Sequence, residues 1–184
     1  MWADLSGMTD LISLARQLSD AGDAAPLPVE DWNPSHCGEI DIVIRADGSW
    51  WHEGEPIERA ALVRLFSRVL RRDEDGFVLV TPGEKLSITV EDAPFLAVDF
   101  EREEAGYTFV TTVGDRVTAG PDHPLTMRRS EAAGAVVPYV LVRGGLEARL
   151  SRAAYYRLAE ELEEEDGELV LRSGGARFVL GTPE

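Results

Sequence analysis

An internal repeat constrains this chain more than any other feature. Arg59-Ala60-Ala61-Leu62-Val63-Arg64-Leu65 matches Arg152-Ala153-Ala154-Tyr155-Tyr156-Arg157-Leu158 at five of seven positions, at an offset of 93. Around both copies the hydrophobic pattern changes between a period of two and a period near 3.6 in the same order, as alternating strands and helices require. In the first copy Ile40, Ile42 and Ile44 predict a strand, Asp47-Gly48 a turn, and Trp50-Trp51 the start of a second strand. Leu62, Leu65, Phe66, Val69 and Leu70 then share one face of a helix over 58–72, stopped by Asp75-Gly76. Strands over 77–81 and 86–90 follow, joined by Pro82-Gly83. The second copy repeats the order with strands at 139–142 and 146–150, a helix over 151–165, and strands at 169–171 and 178–180. Such a period is too long for a solenoid, so the expected fold is α+β, made of duplicated β-β-α-β-β units. Further strands at 95–101, 107–112 and 116–118 make the second half strand-rich.

Ahead of the repeat, Thr9 can cap a helix whose Leu11, Leu14, Ala15 and Leu18 form one stripe, and Pro26, Pro28 and Pro34 mark an extended linker. The expected division is an N-terminal helical arm at 1–24, a first repeat domain with its leading linker at 25–92, and a second domain at 93–184. With 184 residues, 44% hydrophobic and 28% charged, the chain can bury a core, which excludes fibrous and wholly disordered classes. Its net charge of −16 repels a polyphosphate backbone and excludes general nucleic-acid binding. The single Cys37 cannot build an internal disulfide and fits a reducing compartment. Residues 1–22 lack the basic start of a secretory signal. The longest apolar run, 132–142, is interrupted by Gly134 and Pro138 and falls short of the roughly 18 residues a membrane span needs. A cytoplasmic protein with no membrane partner is expected.

The polar residues yield no catalytic constellation. Gly83-Glu84-Lys85-Leu86-Ser87 lacks the glycine spacing and strand-loop-helix order of a phosphate loop, which leaves Lys85 as a strand-edge residue. Gly144-Gly145 and Gly174-Gly175 lack dinucleotide-loop spacing and read as turns. His36, Cys37 and His52 are too few for a structural zinc site, and no second His follows His52-Glu53 at metalloprotease spacing, so no metal or cofactor is predicted. Asp115 and the Asp122-His123 pair lie in polar loops, where an Asp can orient an imidazole or simply cap its own turn. Arg143 ends the apolar run just before two glycines, so its fork can meet a phosphate or carboxylate, or pair with one of the chain's own acids. Trp50 and Trp51 point to opposite faces of a strand, one to the core and the other to a ligand or partner, unless both pack in the core. The acidic run at 160–166 reads as a solvated helix face or a partner site. At the repeat offset Arg68, Arg71 and Arg72 align with Glu161, Glu164 and Glu165, a sign reversal that could pair the two helices or leave both facing water.

Several stretches taken together carry a family resemblance: PSHCGEIDI at 34–42, DGSWWHEGEPI at 47–57, ALVRLFSRVLRR at 61–72, VEDAPFLAV at 90–98, GPDHPL at 120–125 and PYVLVRGGLEARLSR at 138–152. They resemble the bacterial family of domain of unknown function 1285, over residues 34–180. Gly83 and Thr112 depart from the family pattern, which more often carries Val and Asn there. The resemblance implies a duplicated core, a C-terminal half superficially like a pleckstrin-homology domain, and a ligand site between the halves with a nucleotide-like ligand and a role in signal transduction. It implies no catalytic residues. The leading expectation is a non-enzymatic ligand-binding or regulatory protein that holds an anionic small molecule in a groove at the junction of its two repeats. Arg143, His123 and Asp115 are the polar candidates, Trp51 and Tyr139 the aromatic walls, and His52 and Lys85 further candidates. An enzyme using Asp115 with His123, or a scaffold acting through the acidic helix or the arm, are the alternatives.

Overall fold

The computed structural model describes residues 27–183, so the predicted arm at 1–24 lies outside the described residues. Contacts divide the chain into two units. The first runs to Val43 and resumes over Trp50–Thr89; the second takes Ile44–Ser49 and everything from Val90.

In the first unit a 3-10 turn at Val29–Asp31 leads into β1 (His36–Ile44), β2 (Trp50–His52), β3 (Glu55–Pro56), α1 (Ala60–Arg68), β4 (Leu70–Asp73), β5 (Gly76–Val80) and β6 (Glu84–Val90). The strands form one sheet in the order β3-β2-β1-β6-β5-β4. Alternation works as expected at the tryptophans: Trp50 is buried and stacks on Phe66 of α1, with ring centroids 6.3 Å apart, while Trp51 is half-exposed. Leu65 and Phe66 turn the apolar face of α1 inward onto this core.

The second unit consists of β7 (Phe95–Glu103), β8 (Gly106–Thr111), β9 (Arg116–Thr118), β10 (Leu125–Ser130), β11 (Ala135–Arg143), β12 (Leu146–Leu150), α2 (Arg152–Ala159), β13 (Glu163–Glu165), β14 (Glu168–Ser173) and β15 (Ala176–Gly181). Six strands pair in the order β10-β11-β12-β7-β8-β9, with β12 parallel to β7, and β13-β14-β15 form a separate small sheet. Ser151 caps α2 by accepting the Ala154 N–H at 3.2 Å, and Leu158 is fully buried. The small sheet is locked in at the β14–β15 turn. Ser173 Oγ accepts the Tyr107 N–H and donates to the Ala119 carbonyl, each at 2.8 Å, and the Gly174 N–H donates to the Ala105 carbonyl at 3.0 Å. Both partners of Ser173 are backbone groups, so their satisfaction depends on one hydroxyl.

The chain is therefore a two-unit, mostly β protein with two helices among the described residues, and its repeated element order is consistent with duplication. A hairpin, a helix and a three-stranded meander occur in both units. Their pairing differs: the meander of the first unit joins the sheet of its hairpin, whereas that of the second stands apart and β7-β8-β9 extend the hairpin instead.

Both predicted helices are too long, and for the same reason. The charged tails expected on helix faces are strands: Leu70–Asp73 is β4 and Glu163–Glu165 is β13. In β4 the alternation puts Arg71 inward and Arg72 outward, a two-residue period that a continued helix cannot supply. The acidic helix is thereby corrected to a helix end, a turn and an edge strand. Nor do the sign-reversed residues need one another. Arg71 binds Asp73, Glu161 accepts from Tyr107 and pairs with Arg102, and Glu165 pairs with Arg172 and Arg177, each inside its own unit.

Candidate functional site

The second unit brings together two of the predicted polar residues. Asp115 lies in the turn between β8 and β9, where its N–H donates to Thr111 Oγ1 at 3.0 Å and its carbonyl accepts the Thr111 N–H at 2.9 Å. This double tie fixes the carboxylate at the strand end. Arg143 is the last residue of β11, where the pairing with β12 slips between Leu141 and Arg143. Its guanidinium lies 4.9 Å from the centre of the Phe95 ring, and Nη1 donates to Asp115 Oδ1 at 2.6 Å. The Arg143 and Asp115 side chains are 34% and 27% exposed, so the pair sits at a surface corner rather than in the core. Asp115 Oδ2, by contrast, is buried and has no hydrogen-bond partner. A carboxylate oxygen shut off from water and left unpaired costs free energy in the folded chain.

His123 does not join Asp115. Its Nδ1 is 3.0 Å from the Leu141 carbonyl oxygen, and since a carbonyl only accepts, Nδ1 carries the proton and Nε2 is the remaining nitrogen. Asp115 and His123 thus take separate partners, and the acid-base pair of the enzyme alternative is not assembled.

Tyr139 is no ligand wall. It is fully buried, its hydroxyl donates to Asp92 at 2.8 Å, and the guanidinium of Arg128 covers its ring 3.7 Å from the centroid. Burial raises its pKa above the ordinary phenol value. Asp92 also accepts from Ser130 Oγ at 3.2 Å and lies 2.8 Å from Arg149 Nε. That Nε–H is not directed onto the carboxylate, so the contact is an ion pair without a hydrogen bond. Arg149 uses Nη2 to donate to the Ala46 carbonyl at 2.6 Å. The network ties the hairpin tip, β11 and β12 into one core. Sequence reasoning missed Asp92 and Arg149; their only signal was position, inside two of the stretches that carry the family resemblance.

The remaining candidates lie in the first unit. Trp51 and His52 are half-exposed on β2, paired with Pro56 and Glu55. Lys85 belongs to β6, an interior strand of its sheet rather than an edge, and its ammonium donates to Asp73 at 2.9 Å. Asp73 is also gripped by Arg71, whose Nε donates to Oδ1 at 2.6 Å and Nη2 to Oδ2 at 3.1 Å. The Arg71 bond, aided by Lys85, holds the Asp73 carboxyl below the usual carboxylate range. Arg71 Nη1 reaches the carbonyls of Val29 and Trp32, both at 2.8 Å, so this buried cation pins the segment before β1 onto β4.

A cleft of about 200 Å³ opens in the second unit over Tyr107, Val170 and Leu171, rimmed by Arg102, Glu104, Glu163 and other charged residues. Tyr107 donates to Glu161 at 2.9 Å in its wall, and burial followed by that bond raises the phenol's pKa. Among the described residues no group of three His, Cys, Asp or Glu side chains is placed to hold a metal ion, and no helix is long and apolar enough to cross a membrane.

Fold and site together define a two-unit, mostly β protein of repeated element order, with a half-exposed arginine–carboxylate corner in its second unit. Comparison identifies its family. Residues 27–93 match the N-terminal domain described as "Domain of unknown function (DUF1285)", and residues 94–180 match the C-terminal domain described as "Protein of unknown function (DUF1285)". The chain belongs to the DUF1285 family. It is similar to the crystal structure of a DUF1285 family protein from Silicibacter pomeroyi DSS-3, at 47% identity, 94% coverage of each chain and a TM-score of 0.84. It is also similar to one from Shewanella baltica OS155, at 31% identity, covering 66% of this chain and 92% of that one, with a TM-score of 0.54. No curated protein matches.

Proposed function

We propose that the protein is a non-enzymatic ligand-binding or regulatory module of the cytoplasm, which holds an anionic, nucleotide-like small molecule at the Asp115–Arg143 corner and serves signal transduction. The observation that carries the reading is the buried, unpartnered Oδ2 of Asp115 beside a guanidinium seated on Phe95. A ligand with an N–H donor next to an anionic group satisfies both. Its charge meets the solvent-facing part of Arg143, whose planar fork suits phosphate or carboxylate, and its donor takes Oδ2 as the β8–β9 turn that covers this oxygen yields to admit it. His123 Nε2 adds a ring nitrogen anchored two residues from Arg143 along β11, through the Leu141 carbonyl.

We read the C-terminal half as pleckstrin-homology-like in a loose sense, since a mostly antiparallel sheet is accompanied by a second small sheet and one short helix. That likeness lends no function of its own.

A thermal-shift screen with ADP, GTP, cyclic AMP and citrate tests the proposal. A ligand at about one hundred times its Kd stabilises the native state by about 2.7 kcal/mol. The expected result is a shift with at least one nucleotide that is lost in Arg143→Ala and in Asp115→Asn. A shift that survives both substitutions, or no shift from any of the four compounds, refutes it.

A further inference from the structure

The cleft over Tyr107 shares no residue with the Asp115–Arg143 corner, and its charges sort in one direction. The β7–β8 hairpin supplies one side of it and β13 with β14 the other, while Tyr107, Val170 and Leu171, none more than 5% exposed, close its floor. Two arginines line it, and both are engaged. Arg102 pairs with Glu161 at 3.4 Å and lies over the Tyr107 ring, 5.8 Å from its centroid, and Arg172 donates to the two oxygens of Glu165 at 3.0 and 2.9 Å. Of the four lining glutamates two are engaged as well: Glu161 accepts from Tyr107 and Arg102, and Glu103 accepts from Arg116 at Oε1 and from Thr108 at Oε2. The other two are Glu104, in the turn between β7 and β8, and Glu163, the first residue of β13. Both are exposed, and among the described residues their carboxylates take no hydrogen bond or ion pair. Tyr107 registers the resulting field: its pKa is raised by burial first, then by the Glu161 bond and charge, with Glu163 adding to them against the opposing charge of Arg102.

We infer that this cleft binds a short aliphatic diamine, with one ammonium at Glu104, the other at Glu163, and the stem across the uncharged floor. The inference does not rest on the Asp115–Arg143 corner. Two carboxylates brought to one cleft by separate elements suit two charges held apart by a stem, and each ammonium offers three donors to acceptors that now have none. An anion is disfavoured because Arg102 and Arg172 would have to give up Glu161 and Glu165 to receive it. Size disfavours a nucleotide or any larger ligand, since about 200 Å³ falls below the roughly 300–1,000 Å³ of pockets that take drug-sized molecules. A divalent metal is disfavoured because, among the described residues, no three ligating side chains converge here.

The test is a heteronuclear NMR titration of the full chain with putrescine at about 20 mM salt, where screening is weak. Magnesium chloride, whose cation carries the same charge without a stem, and Nα-acetyl-lysine methylamide, a mimic of a protein's lysine side chain, serve as comparisons. Putrescine is expected to give saturable shifts of the Gly106, Tyr107, Val170 and Leu171 amides, with affinity falling about fivefold or more in the Glu104→Gln/Glu163→Gln double variant. Glu104→Gln alone, at an exposed turn position, supplies the readout should the double variant melt early, and is expected to lose part of that affinity. Magnesium that reproduces these shifts would make them a general response of an acidic chain, and a lysine mimic that binds as tightly as putrescine would assign the cleft to a partner protein's side chain. Either result overturns the inference, as do absence of saturable shifts, shifts confined to residues outside the cleft, or an affinity unchanged by the substitutions.

Discussion

Replacing Gly174 by alanine probes the joint that fastens the C-terminal small sheet, and its neighbour Gly175 provides an internal control. Both glycines have positive φ, 58° and 77°, so an L-residue at either incurs the left-handed penalty of about 1–2 kcal/mol. Their surroundings differ. A Cβ on Gly175 meets nothing within 4 Å, whereas one on Gly174 would overlap the Ala119 carbonyl oxygen and lie 2.9 Å from Gly120 Cα. These are backbone atoms with no rotamer to yield, and forcing a group into packed structure costs a further 1–3 kcal/mol or so. Gly174→Ala should therefore lose about 2–5 kcal/mol and Gly175→Ala only about 1–2. Ser173→Ala belongs to the same series. It strands the Tyr107 N–H and the Ala119 carbonyl in a site where the serine is 4% exposed, at about 1–3 kcal/mol for each unsatisfied group. Urea denaturation followed by circular dichroism gives the three values. Equal losses at Gly174 and Gly175 would refute the close approach on which the argument rests.

Two further outcomes follow from other parts of the molecule. Leu158→Ala should cost about 2–5 kcal/mol in urea denaturation, and Leu65→Ala less, because Leu65 retains 9% exposure while Leu158 has none. Asp73→Asn should destabilise at neutral pH. A carboxyl whose folded pKa is depressed contributes fully above its unfolded value of about 3.9 and loses that contribution as pH falls through the folded value, so the gap from wild type should close in acid. A gap independent of pH would mean that Arg71 and Lys85 do not act through the Asp73 charge.

The sequence made the strands legible where apolar residues alternate and the turns where glycine follows Asp or Pro. Trp50 and Trp51 took opposite environments as a two-residue period demands. It failed at 70–73 and 163–165, because arginines and glutamates after a helix continue a plausible polar face, and only their tertiary partners make them strands. The edge strand β10 was also missed, since only Leu125 and Ser130 of its six residues are buried. At the candidate site Arg143 was legible from its place at the end of an apolar run. Its partner was not, because Asp115 looks like any turn aspartate until β7 and β8 bring Phe95 and that turn beside β11. Tyr139 misled for the opposite reason: an aromatic next to a polar stretch reads as a wall, yet its hydroxyl belongs to a buried network with Asp92.

The most direct test of the central claim is a heteronuclear NMR titration of the full chain with the nucleotide that gives the largest thermal shift. Saturable shifts are expected of the Arg143 side-chain Nε–H and of the Thr111, Asp115 and His123 amides, abolished in Asp115→Asn, while the Tyr139 and Leu158 amides stay in place. Shifts confined to other residues, or a pattern unchanged in Asp115→Asn, would contradict it.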